Sequence, residues 1–168
     1  MMSKAMNDAI NKQINAEIYS SYLYLAMAAY FESKTFPGFG AWMKVQANEE
    51  MSHAMKFYAY VNERGGRVVF DAIPKPPTNW KSTLAVFETV CEHEAKVTSL
   101  IDDLASLAEK GKDRATEVFL QWFISEQVEE EANAKQITDT LTMIGESNNG
   151  LLMLDHRLGK RQAGGSAS

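Results

Sequence analysis

The sequence predicts an all-α fold: a four-helix bundle with one long crossover between helices 2 and 3 and a short C-terminal fifth helix. Three observations predict it. Glycine and proline are scarce, at 10 and 4 of 168 residues, whereas strong helix formers such as Ala, Leu, Glu and Lys are abundant. Apolar residues recur at helical spacing through four long segments. The breaks between these segments are short except for one, as in a bundle that contains a crossover.

The first two helices are bounded by turn residues. Apolar side chains, Ile14 and Leu25 among them, recur through residues 3–33, and a proline–glycine turn follows. The second helix is predicted over 39–63, because the glycine pair at 65–66 directly after it is a strong stop signal.

The last three helices follow the same logic. The third is predicted over 82–110, because it starts at a serine–threonine pair that offers capping chemistry and ends before Gly111. The fourth is predicted over 113–144 and stops at Gly145. A short fifth helix, 149–158, is rich in leucine.

The long break, residues 67–81, has the sequence RVVFDAIPKPPTNWK. The second helix is roughly 40 Å long at ~1.5 Å per residue, and an extended chain of this length reaches roughly 50 Å at ~3.3 Å per residue. This crossover can therefore run the length of a helix, so that helices 2 and 3 are parallel. Apolar Val69, Phe70 and Trp80 indicate a segment that packs, whereas the alternative is a disordered linker between two helical hairpins.

Composition and charge limit the class of protein. Hydrophobic residues make up 45% of the chain, enough for the core of one domain. No apolar run approaches the ~18 residues of a membrane span, and a net charge of −5 argues against nucleic-acid binding. The single cysteine, Cys91, fits a cytoplasmic location. We expect one domain over 1–160, a flexible tail over 161–168, no signal peptide and no membrane partner.

Polar side chains lie among apolar ones near the middle of each long helix. The second helix carries Glu50 and His53, which are three residues apart and share a face. The first helix carries Glu17, the third Glu94 and the fourth Glu130. Because mid-helix positions on facing helices meet at one level of a bundle, we expect these four carboxylates and one imidazole to converge in the core.

Crowded carboxylates in a core of low dielectric constant repel one another and raise one another's pKa values. Cations remove that repulsion, and an oxygen-rich donor set with one nitrogen suits iron, manganese or zinc. Carboxylates from four bundle helices around paired metal ions are the arrangement of di-iron bundle proteins, although only one of their two Glu-x-x-His pairs is present. A non-catalytic bundle with solvated acids and a di-iron oxidase of organic substrates are the alternatives.

At these residues the chain resembles the ferritin family, specifically the bacterial non-haem ferritins. The resemblance covers residues 1–160 and includes NKQINAEIYSSYLYLAMAAYF, NEEMSHAMKFYAYVNERGG, ISEQVEEE and GLLMLDHRLG. It implies a ferritin-like fold and a ferroxidase that oxidises Fe²⁺ to Fe³⁺ with O₂ or H₂O₂. It also implies iron storage and detoxification, with ferric mineral held inside a hollow octahedral shell of twenty-four subunits.

The resemblance implies roles for single residues. Glu17, Glu50 and His53 would bind the first iron of a dinuclear ferroxidase centre. Glu50 would bridge to a second iron held by Glu94 and Glu130.

Further residues are implied around this pair. Gln127 would lie beside the two irons. Tyr24 would hydrogen-bond to the centre and Trp122 would lie near it, both as aromatic electron donors. His93, by contrast, is expected at the surface. A third iron site of the bacterial members falls on four glutamates: Glu49, Glu126, Glu129 and Glu130.

Three positions bear on the subtype, and two others bear on the route by which iron enters. Bacterioferritin is similar but has a second Glu-x-x-His pair in its fourth helix, where this chain has Gln127 and Glu130, so the non-haem type is favoured. Met51 stands at the haem-ligating position of bacterioferritin, but we expect a core methionine and no haem. Glu117 matches a three-fold channel position of the family, whereas Leu120 is apolar where a second acid is usual.

Overall fold

The computed structural model describes residues 2–145 and 147–161, and in these ranges it contains five α-helices and no strand. No helix end differs from its predicted position by more than two residues, so the predicted all-α bundle is confirmed. The described helices include none that is long and apolar enough to cross a membrane. The helices are α1 Lys4–Ser33, α2 Pro37–Glu63, α3 Thr83–Lys110, α4 Arg114–Ile144 and α5 Asn148–Leu158.

Four of the five helices begin at a side chain that caps their first turn. Ser3, Ser82, Asp113 and Ser147 each accept a hydrogen bond from the backbone N–H three residues later. Such caps satisfy N–H groups that have no partner inside the helix. α1 packs along α2, and α3 packs along α4, as two hairpins of the bundle.

The crossover runs along α1 and is held there by hydrogen bonds. Asn7, Asn11 and Asn15, each four residues from the next, bond to crossover backbone groups between Arg67 and Ala72 at 3.0–3.4 Å. Further along α1, the hydroxyl of Tyr30 donates to the carbonyl of Trp80 at 3.1 Å. The crossover therefore follows α1 from its first turns to its last, which makes α2 and α3 parallel and excludes a loose linker.

The helix that lacks a cap from its own flank, α2, is capped by α5. Phe36 at its start makes no side-chain cap bond. Instead, the Asp155 carboxylate of α5 accepts the backbone N–H of Phe39 at 2.8 Å, in a buried position. A Cβ at Gly38 would lie 1.8 Å from the Asp155 carbonyl oxygen, so only glycine permits this approach.

Two apolar clusters fill the bundle and leave a polar layer between them. One lies around Trp42 and Phe87 and includes residues of α5, and the other lies around Ile10, Phe57 and Phe123. On every long helix the buried residues of the two clusters are separated by roughly two to three turns, and those turns carry the buried acids.

Several apolar residues that the sequence assigns to the core or to packed positions are exposed in the single chain. Met51, expected in the core, is 41% exposed, and Val69 and Phe70, expected to pack in the crossover, are also exposed. The prediction that these side chains are buried is therefore wrong for one chain. The reason is that α2 is apolar on more than one face, so hydrophobicity alone does not identify the face that turns inward.

The predicted tail, 161–168, lies outside the described residues except for Arg161. The side chain of Arg161 is buried against α2, where it pairs with Glu49. The boundary predicted at residue 160 therefore excludes one residue that contacts the bundle.

Substitution of Asp155 tests the cap that α5 provides. Asp155→Ala leaves the buried Phe39 N–H without an acceptor, and should lower the free energy of unfolding by about 1–3 kcal/mol. Asp155→Asn keeps an oxygen acceptor and should lose less than half of that. Chemical denaturation of the metal-free protein, followed by circular dichroism, measures both. Unfolding of Asp155→Ala at the wild-type denaturant concentration would show that α2 does not depend on this cap.

Candidate metal centre

The polar layer brings together the side chains that the sequence places in a metal centre. Helical spacing turns each of them inward between the two apolar clusters, and none is more than 5% exposed. Both hairpins contribute, so the centre exists only when all four long helices are assembled. The six side chains are Glu17, Glu50, His53, Glu94, Gln127 and Glu130.

Glu17, Glu50 and His53 form a group that fits a metal ion. One donor atom from each lies within 4.8 Å of the other two, and His53 Nδ1 is 3.4 Å from Glu50 Oε2. Glu17 Oε1 accepts a hydrogen bond from Gln13 at 2.7 Å, whereas the buried Glu17 Oε2 has no hydrogen-bond partner among the described residues. A buried oxygen without a partner costs about 1–3 kcal/mol, and a cation bound at this oxygen would remove the cost.

Glu94 and Glu130 face the same layer and are held by neutral donors. Glu94 accepts from the Tyr24 hydroxyl and, at 3.2 Å, from the Gln127 amide. Glu130 accepts from the Gln46 amide at 2.9 Å. Gln127 thus lies beside the centre, where it was predicted. Tyr24 makes the predicted hydrogen bond to the centre through Glu94.

Two glutamines of the layer, Gln13 and Gln46, are absent from the residues that the sequence singles out. Both are buried, and each lies four residues before a buried glutamate of its own helix. That spacing is a weak signal, because Gln46 donates not to its own helix but to Glu130 on α4. Only the packing of α2 against α4 reveals this contact.

Burial controls the protonation of the layer. It raises the pKa of Glu17 to about 7 and the pKa of Glu94 to about 8, the latter with help from Glu130. It raises the pKa of Glu50 well above its ordinary range and that of Glu130 to about 7. Burial, with the nearby Lys56 charge, lowers the pKa of His53 to about 4. The imidazole is therefore neutral at neutral pH and keeps a nitrogen lone pair for a metal.

The surroundings of Trp122 and His93 differ in part from those that the sequence predicts. The rings of Trp122 and His53 pack edge to face with centroids 5.3 Å apart, but Trp122 is 40% exposed and Lys56 lies over its ring. His93, expected at the surface, is partly buried and lies 2.8 Å from the Ser20 hydroxyl. It packs against Tyr24 rather than joining the metal-binding group.

The residues predicted for a third iron site lie close enough to influence one another. After burial, the negative charges of Glu129 and Glu49 are what most raise the pKa of Glu126. Glu49 and Glu126 act on Glu130 in the same direction. Among the described residues, however, the Glu17, Glu50 and His53 group alone brings three acidic or histidine donor atoms within 4.8 Å of one another. The residues predicted for a second iron position and those predicted for a third are not brought together to that degree.

A crossover bundle with carboxylates from four helices around one imidazole is the architecture of the carboxylate-rich metal-binding bundle proteins. Comparison with known families identifies the member of that class. The model of the ferritin family, described as a ferritin-like domain, matches residues 7–144. The chain belongs to the ferritin family.

Individual relatives agree over nearly the whole chain. A bacterial non-heme ferritin of Bacteroides fragilis is 47% identical over 161 residues, 96% of this chain and 100% of the relative. One from Staphylococcus saprophyticus is 42% identical and covers 96% of each chain. The crystal structure of an open-pore ferritin from the archaeon Archaeoglobus fulgidus superposes with a TM-score of 0.96 at 53% identity, over 96% of this chain and 100% of that one. The resemblance inferred from the sequence is thereby confirmed.

Stability of the metal-free protein should fall as the pH rises from 6.5 to 8. The pKa values of Glu17, Glu94 and Glu130 are about 7, 8 and 7 in the fold, against an ordinary 4.5, so the folded state holds protons that the unfolded state has lost. Unfolding should become easier by up to about 1.4 kcal/mol per pH unit for each carboxyl. The depressed pKa of His53, about 4 against 6.5, has the opposite effect, but only below pH 6.5.

Chemical denaturation in EDTA, between pH 6.5 and about 8, measures this fall in the free energy of unfolding. Zn²⁺ should reverse it, because a metal binds the deprotonated carboxylates and stabilises the folded state. Glu94→Gln should flatten the pH dependence, whereas Glu88→Gln, at an exposed position of the same helix, should not. A metal-free stability that is constant or rises over this range would refute the protonation that we assign to the layer.

Proposed function

We propose that the protein oxidises Fe²⁺ to Fe³⁺ at the buried centre and stores the ferric product inside a shell built from copies of this chain. The observation that carries the proposal is the group of Glu17, Glu50 and His53, with its unpartnered Glu17 oxygen. Membership of the ferritin family supports iron storage, and the bacterial non-heme ferritins among the relatives support the subtype.

The layer offers positions for two Fe²⁺ ions as substrate. Glu17, Glu50 and His53 would bind the first, while Glu94 and Glu130 would bind the second, with Glu50 shared between them. Carboxylates stabilise Fe³⁺ more than Fe²⁺, because the attraction between charges grows with the charge of the ion. Loss of an electron from each ion is therefore favoured. Two electrons reduce O₂ to H₂O₂, or H₂O₂ to water, with the uptake of two protons in either case.

The side chains around the substrate manage protons. Because burial raises the pKa of Glu17 to about 7 and that of Glu94 to about 8, binding of Fe²⁺ at neutral pH would release protons from these carboxyls. The pKa of the Tyr24 hydroxyl is raised by burial and by Glu94, so Tyr24 stays protonated and continues to donate to Glu94. Gln127 holds the same carboxylate from the side of α4.

A third iron site on Glu49, Glu126, Glu129 and Glu130 belongs to the same proposal. Its support is that Glu130 is common to the centre and to this group, and that Glu49 and Glu126 act on Glu130 electrostatically. Glu129 is exposed, whereas Glu130 is buried, so the group extends from the polar layer to the surface. Ferric iron that leaves the centre would pass along these carboxylates.

Assembly into an octahedral shell of twenty-four subunits, in the cytoplasm, completes the proposal. Among the described residues, apolar side chains exposed on a single chain include Met51, Met55 and Phe70, and Leu152 and Met153 on α5. Exposed apolar patches are typical of surfaces that bind another subunit.

Removal of the imidazole tests the ferroxidase centre. His53→Ala should lower the initial rate of Fe²⁺ oxidation at least about tenfold, because it deletes a donor of the first iron position. Stopped-flow absorbance after mixing with Fe²⁺ and O₂ measures this rate. His156→Ala, which removes an exposed histidine of α5, is the matched control and should oxidise iron at the wild-type rate. An unchanged rate in His53→Ala would refute its role.

The mass of the particle tests the storage function. Light scattering on a size-exclusion column should give about twenty-four times the chain mass of 18.8 kDa, and iron added in air should remain with the particle. A particle near 18.8 kDa would exclude the shell. A large particle that oxidises iron without retaining it would exclude storage.

A further inference from the structure

Arg161 is a buried cation beside the third-site group defined above. Its side chain is 6% exposed, and its Nη2 lies 2.7 Å from Glu49 Oε2. The guanidinium lies over the Trp42 ring, 4.8 Å from the centroid. Its Nη1 is buried and has no hydrogen-bond partner among the described residues.

Docking of α5 places this guanidinium. Asp155 accepts the N–H of Phe39, and Gly159 meets Gly38 closely, so the end of α5 is held against the start of α2. One turn after α5, the backbone N–H of Arg161 donates to the Leu158 carbonyl at 3.2 Å. Arg161 is thus attached to a docked element, rather than reaching Glu49 from a freely moving chain.

Burial of this side chain needs a compensating interaction. Guanidinium keeps its charge at any physiological pH, and a buried charge with an unpartnered N–H is costly unless an opposite charge lies close by. Glu49 supplies that charge, and the positive charge of Arg161 also acts on Glu130. Arg161 therefore supplies a positive charge in contact with Glu49 and within electrostatic reach of Glu130.

We propose that Arg161 is a tethered cation that competes with metal ions for Glu49 and so keeps the affinity of the third-site group low. A metal ion and the guanidinium cannot both use Glu49 Oε2 without strong repulsion between like charges. An ion that binds this group must first displace Arg161. The inference deepens the proposed function, since it rests on the third site, and it makes Arg161 a positioning residue for iron that leaves the centre.

Anomalous diffraction from crystals soaked in graded Zn²⁺ tests the competition without relying on activity. Zn²⁺ is not oxidised, and its occupancy can be read separately at the dinuclear centre and beside Glu49. Arg161→Gln should bind Zn²⁺ beside Glu49 about fivefold more tightly or better, with occupancy at Glu17 and Glu50 unchanged. Arg157→Gln, which removes an exposed charge from α5, is the matched control and should match wild type at both positions.

Two further variants separate charge from packing. Arg161→Lys keeps the charge and should restore the weak wild-type occupancy beside Glu49. Arg161→Met keeps a long side chain over Trp42 without the charge, and should behave as Arg161→Gln does even if the glutamine variant proves unstable. If Arg161→Met binds Zn²⁺ beside Glu49 no better than wild type, or if Arg161→Lys gains affinity as the neutral variants do, the competition is refuted.

The same soaks distinguish failure of the inference from failure of the proposed function. Zn²⁺ at the dinuclear centre, with an unchanged position beside Glu49 in every variant, would overturn the role of Arg161 alone. Absence of Zn²⁺ from the dinuclear centre in wild type and in all variants would overturn the proposed ferroxidase centre itself.

Discussion

Burial of four carboxyl groups in one layer is the constraint on which the rest of the structure depends. Their hydrogen-bond donors are mostly neutral: Gln13 for Glu17, Tyr24 and Gln127 for Glu94, and Gln46 for Glu130. Neutral donors orient a carboxylate without cancelling its charge. The layer is therefore tolerable either with protons on its carboxyls or with cations between them, and exchange between these two states is the basis of metal binding.

The two apolar clusters make this layer possible. One lies on each side of it, with aromatic residues such as Trp42 and Phe87 in one and Phe57 and Phe123 in the other. Each long helix contributes to both clusters and crosses the polar layer in its middle turns. Apolar packing on both sides of the layer therefore opposes the repulsion between the carboxylates within it. The length of the helices thus follows from what the bundle must bury, and the crossover keeps α2 and α3 parallel so that these levels align.

Much of this was predictable from the sequence, because the signals were local. Helix ends followed capping residues and glycines, and the buried acids were recognisable as charged residues amid apolar ones at mid-helix. What could not be predicted depends on contacts between distant elements. Gln46 carries no charge to mark it, and its acceptor lies on α4. Met51 and Trp122 are apolar residues whose exposure depends on which helix face turns inward, and the sequence leaves that face undetermined where more than one is apolar.

The short fifth helix shows how such distant contacts reach the centre. Through Asp155 it caps the first turn of α2, and through Arg161 it places a positive charge beside Glu49 on the same helix. Any displacement of α5 would remove the cap and the cation together. Glu49 directly precedes Glu50 on α2. Arg161, just after α5, is 112 residues from Glu49 in sequence, yet through it α5 acts on the carboxylates between the centre and the surface. Docking of α5 and the charge balance of these carboxylates are therefore linked.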